Sequence, residues 1–485
     1  MLVGFNVGNY LSIKEMQRFS MVAGDHEELP GHICNVNGLR LLRGSFIYGS
    51  NASGKSNFIR AFKYSREMIL DERRPRQEKS IPQSYRGMDD QYSTSPCYFE
   101  YNIYTSGEFY SYGIEIDPMT ERIVGEWLYQ MIDGTEDMIY SIDRNEGGTS
   151  RIAFPSMDHI LKKYIESDDS RSFLTYVSSF KDRDNEEMRQ VYGWFKQSLV
   201  ILSSENKEIS ILNSKEFLDR LVFYLRHLDT GIVGYERNRV DEIIKRSEYY
   251  RNGPSRSKDP YVFINNETSS DGSMKKKVRI PDEYSEFGQD TIDKIMRTIN
   301  EGKRCILYSN EDMFEFYKDE TGVICDEISF LHGKRSFPVK FKDESQGTSR
   351  LIHMLSMFEM TSPLDSPSSE DEWGDRTLII DELECSIHTL ATLDLIKIFY
   401  NRPESERSQL IATTHESRLL NQELIRKDEI WFVDVPEDGG ERASSLYSLE
   451  SFDDPDESFI DIAYLEGKYG GIPFLKTLDD QEDDF

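Results

Sequence analysis

One eight-residue run restricts the fold of this chain more than any other. Gly49-Ser50-Asn51-Ala52-Ser53-Gly54-Lys55-Ser56 fits G-x-x-x-x-G-K-[ST] without a gap. A β-type run, Leu39 to Gly49, precedes it. KSNFIRAFKYSREMIL follows, with Phe58, Phe62 and Met68 to Leu70 at helical spacing. Strand, glycine loop and helix in that order is the setting in which such a loop holds phosphates. The glycines let backbone N–H groups turn onto phosphate oxygens, and the helix N-terminus adds partial positive charge. Gly49 to Asn57 are therefore candidate ATP contacts. Lys55 would reach the β- and γ-phosphates, and Ser56 would bind Mg²⁺. The competing reading is a Gly-Ser turn with an incidental lysine, and it leaves the flanking strand and helix unexplained.

A phosphate loop needs a second, acidic element for its metal. TLIIDELE supplies one: a buried-type strand followed by Asp381 and Glu382. Asp381 would hold Mg²⁺ directly or through water, and Glu382 would orient or activate the attacking water. LIATTHES places His415 at the end of another apolar strand, where it suits a γ-phosphate sensor; a structural histidine is the alternative. His388, in ECSIHTL, either sits near the nucleotide or caps the next helix.

The remaining composition bounds the class. The 485 residues allow two to four domains, and 38% hydrophobic content is enough for sizeable cores. No apolar run approaches the roughly 18–20 residues of a membrane span. The N-terminus, MLVGFNVGNYLSIKE, lacks the basic start and long apolar core of a signal peptide, so a cytoplasmic location and no membrane partner are expected. Five scattered cysteines, Cys34, Cys97, Cys305, Cys325 and Cys385, have no metal-ligand spacing and fit a reducing compartment. The net charge of −30 disfavours non-specific nucleic-acid binding, which needs many Lys and Arg on phosphates.

The pattern along the chain is an α/β one. Residues 1–95 read as an N-terminal lobe with the phosphate loop, and 96–150 as an antiparallel β section with TSGE (Thr105–Glu108) as a hairpin turn. Residues 151–300 read as a helical insertion, including EEMRQVYGWFKQSLVIL, with an exposed polar loop at about 251–283. Residues 301–452 read as a C-terminal lobe entered through strands, with a linker at Thr361–Arg376. Residues 453–485 form a terminal segment with an acidic tail, LDDQEDDF. SQLIATTHESRLL repeats the strand-into-helix plan, and EIWFVDV reads as a closing strand.

Taken together, these motifs resemble the ABC-type ATPase heads of the SMC and OLD-like class. Lys55 and Asp381 stand 326 positions apart (381 minus 55), which leaves room for the insertion such heads carry between two lobes. The implied fold is an α/β P-loop NTPase, a two-lobed ABC-type head with mixed sheet, an inserted antiparallel β section and a helical subdomain. No long heptads are present, so no long coiled coil is expected.

The nearer resemblance is to stand-alone AAA ATPases of prokaryotic anti-phage defence loci, RloA- and AriA-like, of the AAA_15/AAA_21 type. FNVGNYLSI, SNASGKSNFIRAF, LRHLDTGIVG, ESQGTSRL, LIIDELECSIH, QLIATTHES, DEIWFVD and YLEGKYGGIPF carry it. The resemblance implies a homo-oligomer, at least a dimer of heads, and a separately encoded effector, often a nuclease. OLD-like nucleases continue into a Toprim domain; about 70 residues follow His415, too few for one, so no built-in nuclease of that kind is expected.

The resemblance also gives ESQGTSRL a role. A Ser-x-Gly element of ABC-type heads opens a helix and faces the nucleotide held by another subunit. Ser345 and Gly347 would then meet the γ-phosphate in trans, with the helix N-terminus aimed at it. A helix cap is the simpler reading, and Glu344 fits phosphate contact only if it points away. The glutamine that couples Mg²⁺ to the inserted lobe has no clear position; Gln91 and Gln130 are candidates without context. The alternative function is an SMC/OLD-like repair or restriction ATPase that binds DNA itself through Arg251–Lys258 and Lys275–Arg279.

Overall fold

The computed structural model describes residues 1–71, 85, 90–132, 134–144, 150–153, 157–166, 171–178, 185–202, 210–212, 217–239, 263–268, 274–279, 295, 298–308, 313–320, 322–360, 376–402, 407–435, 443–452 and 460–472. They fall into two compact units. The first comprises Met1–Ser204, Pro367–Glu384 and Thr389–Phe485; the second comprises Glu205–Ser366 and Cys385–His388. The architecture is mixed α/β.

The first unit holds two main sheets. One is antiparallel, in the order β10-β9-β8-β7-β6-β1-β2, built from β1 (Leu2–Gly8), β2 (Gln17–Ser20), β6 (Cys97–Thr105), β7 (Glu108–Ile116), β8 (Ile123–Ile132), β9 (Thr135–Asp143) and β10 (Arg151–Ile152). The β6–β7 turn has Ser106 at φ 51° and Gly107 at φ 88°, the left-handed pair that a two-residue hairpin needs. A short hairpin, β3 (Ile33–Val36) with β4 (Leu39–Leu42), lies beside it in sequence. The run Leu39 to Gly49, which reads as one strand, divides at Arg43 into β4 and β5 (Gly44–Tyr48), members of different sheets.

The second sheet positions the site. Its order is β11-β20-β21-β5-β22-β23, with β11 (Leu199–Leu202), β20 (Thr377–Ile380), β21 (Gln409–Thr413), β22 (Ile430–Asp434) and β23 (Ser445–Ser448). The first five strands run parallel and β23 is antiparallel. β5, β20 and β21 are buried at every position, which is why they read as unbroken apolar runs rather than alternating ones. β22, which reads as a closing strand, is interior, and β23 forms the edge.

Helix α1 (Lys55–Leu70) joins both sheets in one core. Phe58 and Phe62 meet Phe5 of β1 at centroid distances of 5.8 and 3.9 Å, and Ile47, Ile379, Ile411 and Val433 belong to the same apolar cluster. The helix stops at Asp71, left-handed at φ 57°, whose N–H donates to Glu67 O. Short helices α2 (Asp90–Thr94), α3 (Asp158–Glu166), α4 (Phe173–Ser178) and α5 (Glu186–Gly193) follow. EEMRQVYGWFKQSLVIL is therefore not one helix. It divides into α5, a π-helical turn at Trp194–Ser198 and β11, which pairs with β20.

A buried glutamine ties the N-terminal strand to this sheet. Gln409 Oε1 accepts from Leu2 N at 2.7 Å and from Thr377 Oγ1 at 3.0 Å; its Nε2 donates to Leu2 O at 2.9 Å and Leu42 O at 3.0 Å. Gln409→Leu keeps the bulk, takes this partner from Leu2 O, Leu42 O and the Thr377 hydroxyl, and leaves Leu2 N only its longer bond to Thr377 Oγ1 at 3.3 Å. It is expected to cost about 3 kcal/mol, since each unsatisfied buried group costs roughly 1–3. Urea unfolding of the variant should show an earlier transition, and a loss below about 1 kcal/mol would contradict this role.

The second unit centres on an antiparallel sheet ordered β12-β16-β17-β18-β13, with β19 added to β18. Its strands are β12 (Ser210–Leu212), β13 (Ile232–Arg239), β16 (Cys305–Tyr308), β17 (Met313–Asp319), β18 (Gly322–His332) and β19 (Phe337–Lys340); a separate hairpin pairs β14 (Phe263–Thr268) with β15 (Met274–Arg279). Helices α6 (Phe217–His227) and α7 (Gln346–Met360) are joined by an ion pair from Arg220 to Glu359 at 2.6 Å. LRHLDTGIVG closes α6 and turns, through left-handed Asp229 and Gly231, into β13. In the first unit, α8 (Thr389–Tyr400) follows β20 and α9 (Ile460–Leu465) follows β23.

Candidate functional site

β5 ends at Tyr48, and the loop Gly49–Gly54 leads straight into α1. Two of its glycines have no room for a side chain. A Cβ on Gly49 would lie 2.4 Å from Val433 O, and one on Gly54 would lie 2.1 Å from Ser444 Oγ. Gly54 is also left-handed at φ 107°, as is Ala52 at φ 64°. Ser444 Oγ donates to Ser53 O at 2.6 Å and lies 2.8 Å from Ser12 Oγ, which accepts from Asn57 Nδ2 at 2.8 Å. Asn57, a candidate nucleotide contact, thus braces the loop from the β1–β2 turn. Ser53 Oγ is buried and has no hydrogen-bond partner among the described residues. Ser50 and Asn51 form the outer turn, where Ser50 O accepts from Ser53 N at 3.2 Å.

Lys55 folds back on its own loop. Its Nζ donates to Gly49 O at 2.7 Å and Ser50 O at 2.9 Å. Burial lowers its pKa to about 8, against the opposing pull of Asp381, Glu384 and Glu382. A desolvated ammonium held by two carbonyls is a cation ready for a stronger anionic partner.

The acidic run begins where β20 ends. Asp381 Oδ1 accepts from Thr413 Oγ1 at 2.6 Å and stands 3.4 Å from Ser56 Oγ. That second distance exceeds an ordinary O–H···O bond, so the two oxygens face each other without closing. Glu382 is exposed and left-handed at φ 53°, with its N–H donating to Thr413 Oγ1 at 2.8 Å. A non-glycine residue in that region costs roughly 1–2 kcal/mol, and such strain concentrates at functional sites. Glu384 accepts from Thr414 Oγ1 at 2.7 Å and from His415 N at 2.6 Å.

Sheet order explains how these groups meet. β21 lies between β5 and β20, so Thr413, Thr414 and His415 emerge between the phosphate loop and the acidic run. His415 is exposed; lost hydration on its packed side, then the Lys55 charge, lower its pKa below the usual histidine value. Thr413, Glu384, Ser12 and Ser444 carry no role in the sequence analysis. Thr413 and Glu384 stand inside the motifs LIATTHES and DELE. Ser444, in a run without a pattern, gives no signal.

The residues present suit a nucleotide and Mg²⁺. The loop is a cradle that side chains would fill, with an orphaned buried hydroxyl on Ser53. Ser56 and Asp381 are hard oxygen donors. Among the described residues no group of three or more His, Cys, Asp or Glu side chains is placed to hold a metal. Mg²⁺ needs no such group, because it takes one or two protein oxygens and fills its shell with water and phosphates.

Ser345 and Gly347 lie in the second unit. Ser345 Oγ accepts from Thr348 N at 3.1 Å and shares a bond with Thr348 Oγ1 at 2.8 Å, which makes it the N-cap of α7. A Cβ on Gly347 would lie 2.5 Å from Ser386 O. Glu344 points to His332 of β18, Oε1 to Nε2 at 2.8 Å; burial raises its pKa and His332 opposes the shift. The carboxylate that sits awkwardly beside a phosphate contact is thus committed elsewhere. His388 is exposed and immediately precedes α8.

Several sequence candidates fall outside the described set. Arg251–Lys258, the linker 361–375 and the acidic tail lie outside the described residues, and the side chains of Gln91 and Lys275–Arg279 are not described. Gln130 lies on β8, far in sequence from the loop. SQLIATTHESRLL enters only a 3₁₀ turn, Ser417–Leu419, not a full helix. None of the five cysteines is in a disulfide, and four of them are buried. No helix among the described residues is long and apolar enough to cross a membrane.

Comparison with known proteins adds a family. A search of the curated proteins gives no match. Among solved structures, the chain is similar to the SMC head domain from Thermotoga maritima, at 13% identity and TM-score 0.34, covering 92% of this chain and 98% of that one. It is also similar to an SMC head solved bound to the C-winged helix domain of ScpA, at 11% identity and TM-score 0.37, covering 93% and 98%. Residues 45–421 match the AAA_21 family, described as "AAA domain, putative AbiEii toxin, Type IV TA system". With the phosphate loop, the acidic run and more than half of the chain inside that match, this chain belongs to the AAA_21 family of AAA domains.

Proposed function

We propose that the chain is a Mg²⁺-dependent ATPase, an ABC-type head that converts ATP and water to ADP and phosphate at sites shared between subunits. The observation that carries the reading is the meeting of Ser56 and Asp381, 325 positions apart, across Thr413. Lys55 exchanges the carbonyls of Gly49 and Ser50 for β- and γ-phosphate oxygens. The N–H groups of Gly49–Asn57 line the phosphates, and Ser56 and Asp381 hold the metal. Bound Mg²⁺ supplies neutralising charge to the phosphates. Glu382 takes up the proton of the attacking water, and His415 contacts the γ-phosphate. Ser345 and Gly347 complete the site of a neighbouring copy.

The family description concerns toxin–antitoxin systems. With the resemblance of motifs such as ESQGTSRL and YLEGKYGGIPF, it supports a sensor or regulatory subunit of prokaryotic anti-phage defence, acting on a separate effector such as a nuclease. ATP-driven closure of two heads would hold or release that partner.

Thr413 tests the metal assignment. Thr413→Val keeps the shape and removes the hydroxyl that orients Asp381. Such outer partners typically change metal affinity about 10–100-fold. The Mg²⁺ concentration for half-maximal ATP turnover should rise by at least about tenfold. An unchanged Mg²⁺ titration would contradict the placement of the metal at Asp381.

A further inference from the structure

The segment YLEGKYGG, Tyr464 to Gly471, has no part in the chemistry above, yet it packs against the phosphate loop. The Tyr464 ring meets Tyr48, the last residue of β5, edge-on at 5.6 Å and stacks on Phe432 of β22 at 5.7 Å. Its hydroxyl donates to Gly471 O at 3.1 Å and lies beside the Gly49 N–H. The Tyr464 hydroxyl therefore holds Gly471, in the turn that follows α9, against the first residue of the loop.

That turn depends on glycine. Gly470 and Gly471 are left-handed, at φ 65° and 68°. A Cβ on Gly471 would stand 3.2 Å from Gly49 Cα, and one on Gly470 would stand 2.4 Å from Asp434 Oδ2. Tyr469 stacks on Phe432 at 5.6 Å, and Tyr447 Oη donates to Tyr469 O at 2.9 Å. Gly49 is thus bounded by Val433 O on one side and by Gly471 on the other. Glycine is the least restrained residue in a chain. A cradle of N–H groups binds best when its direction is fixed before the ligand arrives.

We propose that Tyr464 and Gly471 are positioning residues of the phosphate loop, clamping Gly49 so that the loop is formed before ATP binds. The proposal rests on the loop being an ATP site. It gives the YLEGKYGG motif a function that neither the phosphate loop nor the acidic run contains.

The experiment compares full-length wild type, Tyr464→Phe, Gly471→Ala and Tyr447→Phe by ATP titration calorimetry with Mg²⁺, steady-state turnover and thermal unfolding without nucleotide. Tyr447→Phe weakens the same segment without touching Gly49, so it reports a merely structural effect. Tyr464→Phe keeps the ring and loses the clamp. It is expected to raise Kd and KM for ATP about tenfold with kcat within about twofold, a split that marks lost binding rather than lost chemistry. Gly471→Ala should do the same or more, and Tyr447→Phe should leave Kd unchanged. If Gly471→Ala fails to fold, Tyr464→Phe decides. Wild-type Kd in Tyr464→Phe, or an equal rise in Tyr447→Phe, overturns the clamp while ATP binding by the wild type stands. No ATP binding by the wild type overturns both the clamp and the ATPase reading beneath it.

Discussion

Glu382→Gln is expected to lower ATP turnover about 10³-fold while ATP still binds, the middle of the range for loss of a general base. The change is nearly isosteric. It leaves the Glu382 N–H bond to Thr413 Oγ1 and the left-handed backbone as they are, and it touches neither Lys55 nor Asp381. The capacity to take a proton from water is removed, together with the weakest of the three carboxylate pulls on Lys55. A trapped ATP state should follow, seen as stable ATP-bound protein and persistent assembly. Turnover within about tenfold of wild type would mean that another group, with Glu384 the nearest candidate on the same run, activates the water.

Ser345→Arg is expected to lower turnover about 100-fold by blocking a neighbour's site, with ATP binding to the isolated chain retained. The cap bonds to Thr348 set its own cost at about 1 kcal/mol, too little to unfold the unit. Gly347→Arg is the poorer probe, because a side chain there meets Ser386 O within the same chain. Complementation makes the test sharp. Ser345→Arg chains keep an intact phosphate loop, and Lys55→Ala chains keep an intact Ser345. In a random mixture half of the dimers are mixed and each holds one whole site, so roughly a quarter of wild-type turnover should return for a two-fold assembly. A mixture as inactive as its components would remove the shared-site idea and leave Ser345 as a helix cap.

What was legible in the sequence was local. GSNASGKS sits between a strand and a helix within some thirty residues, and the structure keeps that order in β5, the loop and α1. TLII and QLIAT read as buried strands because parallel strands covered on both faces are apolar throughout. Strand order was not legible. Nothing in LIATTHES says that β21 separates β5 from β20, and so nothing says that Thr413 will hold Asp381 and the Glu382 amide together. SLVIL was lost inside a helical pattern, since a four-residue apolar run has no period of its own. Glu344 could not be placed because its partner, His332, lies across a strand pairing rather than along a helix face.

The most direct measurement of the central claim is Mg²⁺-dependent release of phosphate from ATP by the purified full-length chain, beside Glu382→Gln and with ATP binding measured on both. The wild type is expected to release phosphate until Mg²⁺ is chelated, and the Glu382→Gln protein to bind ATP and release about a thousandth as much phosphate. A wild-type chain that binds no ATP, or a Glu382→Gln chain that hydrolyses it at the wild-type rate, would contradict the account.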